Sequence, residues 1–247
     1  MTAPAALRTG VDADIWSALD TVRDPELDES IVDLLFVSGV QVDSGAVHVQ
    51  LRLPTYFCAP NFAYLMVSDA FDAVTRVAAG RSVRIRLEDH FASEEINGGV
   101  SAGAGFQGSF PGQAQEELAE LRLTFQRKAH AACLERASAQ LLEQGWTIEG
   151  LAEARLSDLP DTPQRESLLR RRADLGLSIN PAEPMFVDGE GRPVGKPDVA
   201  LHLRMARTTR VSIEGNSGIC RGLLRTRYGD ETTSGTLSAV ASERISQ

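Results

Sequence analysis

Between Val40 and Leu87 the spacing of apolar residues changes from every second position to helical spacing and back again, a pattern that few chain topologies satisfy. Val40 and Val42 alternate with polar neighbours and Asp43-Ser44-Gly45 offers a turn. Val47, Val49, Leu51 and Leu53 then alternate with His48, Gln50 and Arg52, the signature of a β-hairpin with one buried face. Pro54 ends the second strand. Phe62, Met66, Ala70, Ala73 and Val77 mark one face of a helix that Pro60 is suited to start and Gly80 to close. Val83, Ile85 and Leu87 alternate with Arg84, Arg86 and Glu88, giving a third strand. Strand, helix and strand in one sheet need a crossover, so the second and third strands are predicted to run parallel, with their C-terminal ends on one edge.

A first helix precedes them, with Val11, Ile15, Ala18, Leu19 and Val22 at helical spacing, Thr9 and Asp12 as a nonstandard capping pair, and an end near Asp24-Pro25. The predicted order is αββαβ, an α/β (α+β) domain with a mixed sheet over residues 11–91. In open α/β sheets ligands gather at the C-terminal strand edge. Here that edge carries Thr55 to Cys58 and Asp89-His90, with the Arg23-Asp24-Pro25-Glu26 loop within reach. Cys58 lies just before a helix start, where free backbone amides and the dipole favour thiolate, the form that metal binding and sulfur chemistry require. Its alternative reading is a small half-buried residue filling the helix start. Asp24 and Glu26 either build a turn or offer a ligand, Glu26 being the better candidate. Asp89 and His90 either end a strand or serve a metal or a proton transfer.

Composition narrows the classes. With 34 acidic against 25 basic residues and a net charge of -9, no global positive field gathers phosphate backbones or anionic lipid, which argues against nucleic acid and membrane as partners. The start lacks the apolar run of a signal peptide, so a cytoplasmic chain is expected. Cys58, Cys133 and Cys220 are too few and too widely spaced for a disulfide framework or a CxxC zinc site, so a metal held here needs mixed ligands or a second chain. A narrow alanine-rich stripe on the helix from Gln113 to Gln144 admits another helix, within the second unit or across a homodimer interface. Neither a Ser-His-Asp arrangement nor HExxH is evident, and a noncatalytic role is expected.

Asp24-Pro25-Glu26 after the opening helix, Val32-Asp33-Leu34, and Leu53-Pro54-Thr55-Tyr56-Phe57-Cys58-Ala59-Pro60 resemble the motifs of the PaaD/SufT-like iron-sulfur assembly family. The resemblance implies a role in assembling or delivering iron-sulfur clusters and in metalloenzyme maturation. Cys58 would be the cluster or metal contact and the Asp-Pro-Glu loop would lie beside it. Leu34-Leu35 departs from a common Leu-Gly pair, and Ala59 separates Cys58 from Pro60 where Cys-Pro is common. A domain of this kind with a long extension is similar to accessory proteins of bacterial multicomponent diiron monooxygenases, which implies such a hydroxylase as client. The expected cargo is iron or an iron-sulfur cluster, held by Cys58 with Glu26, Asp89 and His90 as metal candidates. The alternative is an adaptor or chaperone that docks on the metalloenzyme without metal.

Beyond this domain, the segment 92–112 reads as a glycine-rich linker or lid. Its Gly103-Ala104-Gly105-Phe106-Gln107-Gly108 matches GxGxxG without the strand that a dinucleotide loop needs, and Phe106 and Phe110 are suited to dock on a partner or on the first domain. Residues 113–228 read as an extension, a candidate client-binding domain, that opens with a long helix from Gln113 to Gln144 carrying a stripe of Leu118, Leu121, Phe125, Ala129 and Ala132. Cys133 flanks that stripe and His130 falls toward its polar side. Next come a charged helix near 164–175 and an extended segment at 185–187. Short strands at 199–205 and 210–213 complete a small α+β unit, followed by a glycine-rich turn at 214–222 around Cys220 that reads as a surface turn with solvated arginines, an anion-binding turn or a second thiol site. The tail 229–247 is expected to be disordered.

Overall fold

The structure is a computed structural model that describes residues 10–112 and 115–229. It divides into two compact units, one of Met1–Leu118 with Asn216–Gln247 and the other of Ala119–Gly215.

The first unit has the predicted order: α1 (Val11–Asp20), β1 (Val37–Val42), β2 (Ala46–Arg52), α2 (Pro60–Val77) and β3 (Ser82–Glu88). The helix α1 stops at Asp20, short of Asp24-Pro25, which belongs to a separate turn. Thr9 lies outside the described residues, and Gly10 occupies the cap without a side-chain bond. β1 pairs antiparallel with β2, and β2 pairs parallel with β3, in register from Ala46 opposite Ser82 to Arg52 opposite Glu88. The parallel pairing is the one the crossover required. Val47, Val49 and Leu51 of β2 and Ile85 and Leu87 of β3 are buried in one core with Ile15 and Leu19 of α1 and Ala63, Val67, Ala70 and Val74 of α2. Fully burying such a Val, Leu or Ile stabilises by roughly 1.5–3 kcal/mol relative to exposure. That gain sustains local strain at Leu35, where φ is 63°. Leu34 and Phe36 are both buried while Leu35 between them is 46% exposed, so the chain turns through the left-handed region with a side chain that glycine would spare it.

The segment expected as a linker is instead folded onto this core. It forms α3 (Ser93–Ser101) and α4 (Gly105–Ser109). The glycines that suggest a linker by composition include Gly99, which allows close packing: a Cβ there would stand 1.7 Å from Ser109 Oγ. Phe106 is buried, with ring centroids 5.1 Å from Tyr64 and 5.2 Å from Phe110, so the two phenylalanines dock on their own domain. Asn97 accepts from Leu87 N–H at 2.8 Å and donates to Leu87 O at 3.0 Å, occupying the open edge of β3 as a neighbouring strand would.

The second unit is helical. α5 (Gln115–Glu143) supplies Cys133, Leu134, Ala137 and Leu141 to a second core, and Gly145 ends it with φ 93°. Two short 3-10 turns, Glu149–Ala152 and Leu156–Asp158, and α6 (Pro163–Asp174) add Leu151, Leu156 and Leu168, while Met185 and Phe186 fill the remaining core from an extended stretch. Thr162 caps α6 through Arg165 N–H. The expected small sheet is not formed: among the described residues there is one sheet, of three strands. The predicted strands at 199–205 and 210–213 and the predicted turn at 214–222 are all part of one helix, α7 (Lys196–Tyr228).

Its less exposed positions are Val199, Leu203, Ala206, Arg210, Ile213, Ser217, Cys220 and Leu224, at alternating steps of four and three. Over the seven residues 199–205 that pattern overlaps with strand alternation, since Leu201 and Met205, 50% and 62% exposed, are also apolar. Added Cβ atoms at Gly215, Gly218 and Gly222 would meet nothing within 4 Å, so these glycines lower helix propensity without ending the helix. Residues 230–247 of the expected disordered tail lie outside the described residues. No described helix is long and apolar enough to cross a membrane.

His130 of α5 is 1% exposed rather than on a polar face, and its Nε2 has no hydrogen-bond partner among the described residues. Burial, helped by the nearby Arg172 charge and opposed by Asp188, pushes its pKa down to about 4.

Two outcomes follow for stability. Leu35→Gly removes the left-handed strain without uncovering the core and should raise unfolding free energy by about 1 kcal/mol, read as a higher urea midpoint at unchanged m. An unchanged or lower midpoint contradicts the strain. For His130 the folded chain binds fewer protons than the unfolded chain below pH 6.5, so acidification to about pH 4 should remove on the order of 3 kcal/mol. His130→Leu should abolish that part of the pH dependence, and an identical pH profile in wild type and variant rules the effect out.

Candidate functional site

The end of β2 and the end of β3 are stitched together. After Arg52, Leu53 and Pro54 are buried and the chain turns outward through Thr55, Tyr56 and Phe57 to Cys58, with Ala59 as the cap of α2. Phe91 N–H donates to Tyr56 O at 3.2 Å. His90, 3% exposed, lies 2.8 Å through Nε2 from the Cys58 carbonyl, and its Nδ1 lies 3.2 Å from Ala92 N. A carbonyl only accepts and an amide N–H only donates, so His90 is the neutral Nε2–H tautomer. Burial pushes its pKa down, the Cys58 carbonyl opposes this, and Arg227 adds to it. Both ring nitrogens are engaged, so in this arrangement His90 positions the cysteine backbone and offers no free lone pair to a metal. Cys58 itself is half-buried, with its Sγ 3.3 Å from Thr55 Oγ1.

The Asp-Pro-Glu loop is built around Asp24. Its Oδ1 accepts from Glu26 N–H and Leu27 N–H, both at 2.8 Å, closing the turn that the Asp-Pro sequence suggests. Asp24 is 8% exposed, and burial pushes its pKa up to about 6. The two amide bonds pull it back, while the Glu26 and Glu29 charges push it further up. Glu26 remains half-buried, and its Oε1 accepts from Asn216 Nδ2 at 3.3 Å.

That asparagine belongs to the C-terminal part of α7, which is part of the same unit. Ser217 and Arg221 both bond the Glu29 carboxylate, Leu224 is buried in the first core, and Arg227 donates to Leu53 O at 3.2 Å and to Asp89 O at 2.5 Å. The helix thereby reaches both strand-end loops, and Cys220, half-buried, packs against the core that also receives Cys58. Burial pushes the Cys220 thiol up to about 11, and the neighbouring Asp24, Cys58 and Glu26 push it the same way. The sequence offered Cys220 as part of a glycine-rich turn, with a second thiol site as one reading, and the structure places it on a helix instead. The signal for it was the four-three repeat of α7, which places Cys220 one helical turn beyond Asn216. Cys133, by contrast, is a core residue of the second unit, 2% exposed.

Asp89 follows β3 in an exposed position with φ 52°. Next to it Tyr56, Phe57 and Phe91 form an exposed aromatic rim, 47%, 78% and 46% accessible, with ring centroids 5.0–6.2 Å apart. Among the described residues no three His, Cys, Asp or Glu side chains form a ready-made metal-binding group. The sulfur of Cys58 and the carboxylate of Glu26 are donor types that iron accepts.

A family model described as iron-sulfur cluster assembly protein matches residues 12–87. An uncharacterized protein of Methanocaldococcus jannaschii is 33% identical over 85 residues, which is 34% of this chain and 87% of that protein. No solved structure gives a significant match.

The grip of α7 on the loops can be measured without any cargo. Arg221→Met removes the Glu29 pair and should speed maleimide labelling of Cys220 severalfold, with labelling of Cys133 as internal reference. An unchanged rate would show that the pair does not hold this part of the helix.

Proposed function

We propose, because the chain belongs to the iron-sulfur cluster assembly protein family, that it is an accessory protein of iron-sulfur cluster or iron-centre assembly in which Cys58 holds the cargo transiently. The observation that carries this reading is the placement of Cys58 on a loop fixed by His90 and Phe91 and opening beside an exposed aromatic rim. Thiolate sulfur binds iron and clusters well, and a fixed backbone lowers the ordering cost of binding. A transfer protein also has to release what it holds. With Cys58 and Glu26 leaving coordination positions open, a client's own ligands can enter as those of the accessory protein leave.

The rim of Tyr56, Phe57 and Phe91 is the surface where the client would dock, since exposed clustered aromatics beside a site are characteristic of binding surfaces. A diiron monooxygenase hydroxylase is the client that the sequence resemblance suggests. The same rim supports a second reading, in which the domain is an adaptor that docks on the metalloenzyme without taking metal, because those contacts need none.

Anaerobic reconstitution with ferrous iron and sulfide separates the two. Cys58→Ala should lower bound iron and sulfide to background while far-ultraviolet dichroism stays unchanged. Equal iron and sulfide in wild type and variant would sink the ligand role and leave the adaptor reading.

A further inference from the structure

The extension brings a second thiol to the site through contacts unrelated to the motifs around Cys58. Asn216 bonds Glu26, Ser217 and Arg221 bond Glu29, and Arg227 bonds Leu53 O and Asp89 O, so the segment from Asn216 to Arg227 is tied to both the acidic loop and the loops at the ends of β2 and β3. Cys220 is on the same side of α7 as Asn216, Ser217 and Leu224, and it packs on the core against which Cys58 also packs. We infer that Cys220 is a second sulfur ligand which acts with Cys58, so that the C-terminal helix supplies half of a two-thiolate site for iron or an iron-sulfur cluster. This rests on the reading of Cys58 as a cargo contact and extends it to a residue outside the family's matched segment.

The surroundings favour a cation there. Asn216, one helical turn before Cys220, bonds Glu26 of the acidic loop that Asp24 closes, so carboxylates lie on the loop against which this part of the helix is seated. A soft cation held between the two sulfurs takes them as thiolates, any thiol proton passing to water. Two thiolates are also half of the four that a cluster with an all-cysteine shell uses, so the remaining positions stay open to a donor, a client or a second copy.

Cobalt(II) chloride is a direct probe, because the near-ultraviolet thiolate-to-cobalt band grows with the number of sulfurs on the ion. The full chain should give a band that falls to about half per bound cobalt in Cys220→Ser and in Cys58→Ser and is unchanged in Cys133→Ser. Cobalt should also slow maleimide labelling of both Cys58 and Cys220 in the unmutated chain, a readout that needs no variant to fold. A wild-type band in Cys220→Ser, or Cys220 labelling unaffected by cobalt while Cys58 is protected, overturns the inference and leaves the Cys58 reading standing. Absence of any thiolate band in the wild type overturns both.

Discussion

Parallel pairing of β2 with β3 is the constraint on which the rest of the site depends. Antiparallel strands would send their C-terminal loops to opposite edges, and the β2 loop that carries Cys58 would then have no partner at the end of β3. With the strands parallel and in register through Arg52 and Glu88, the loops after them leave the sheet side by side. A backbone bond from Phe91 to Tyr56 and the His90 bond to the Cys58 carbonyl then join them. The crossover helix α2 starts at the same edge because it must return over the sheet, which places its N-terminus next to the cysteine. Position in this site therefore follows from topology, and the individual hydrogen bonds refine it.

The extension adds to that edge through long-range contacts. A 33-residue helix, α7, carries Val199 into the second core and Leu224 into the first. Its arginines near the site are placed on Glu29 and on the Leu53 and Asp89 carbonyls. The polar contacts that seat the helix thus neutralise a carboxylate and satisfy strand-end carbonyls, groups that in a buried setting cost free energy when left unpaired.

The αββαβ order, the hairpin turn, the parallel pairing and the edge location of Cys58 were legible because each rests on a period-two or period-3.6 pattern lasting several residues. Two segments were misread for opposite reasons. In α3 and α4 the glycine content signalled flexibility, whereas Gly99 is small so that Ser109 can approach it and Phe106 can be buried. In α7 a short run of alternating apolar residues imitated a strand, and Gly215, Gly218 and Gly222 imitated a turn, although burial at four-three spacing continues through all of them. Tertiary packing overrides local propensity there, and a window of seven residues is too short to tell the two periods apart. Because Cys220 fell among those glycines, its place one helical turn beyond Asn216 could not be assigned from pattern alone. His90 was placed at this edge by the strand pattern, as either a strand end or a metal or proton-transfer residue, and its two hydrogen-bond partners add that it orients the loop.

That division of labour has a chemical consequence. A protonated imidazolium next to Cys58 would compete with any cation for the sulfur, and it would set an N–H at Nδ1 against the Ala92 N–H. Burial and Arg227 hold His90 neutral, so its bond to the Cys58 carbonyl fixes the loop without placing a net charge beside the thiol. Asp24 acts comparably in the acidic loop, using one carboxylate oxygen to close the turn that presents Glu26. Residues that shape the backbone are thereby distinct from the sulfur and carboxylate atoms that remain for a ligand. On the proposed reading of Cys58 as a cargo contact, that separation lets the ligands change partners while the loops that present them stay in place.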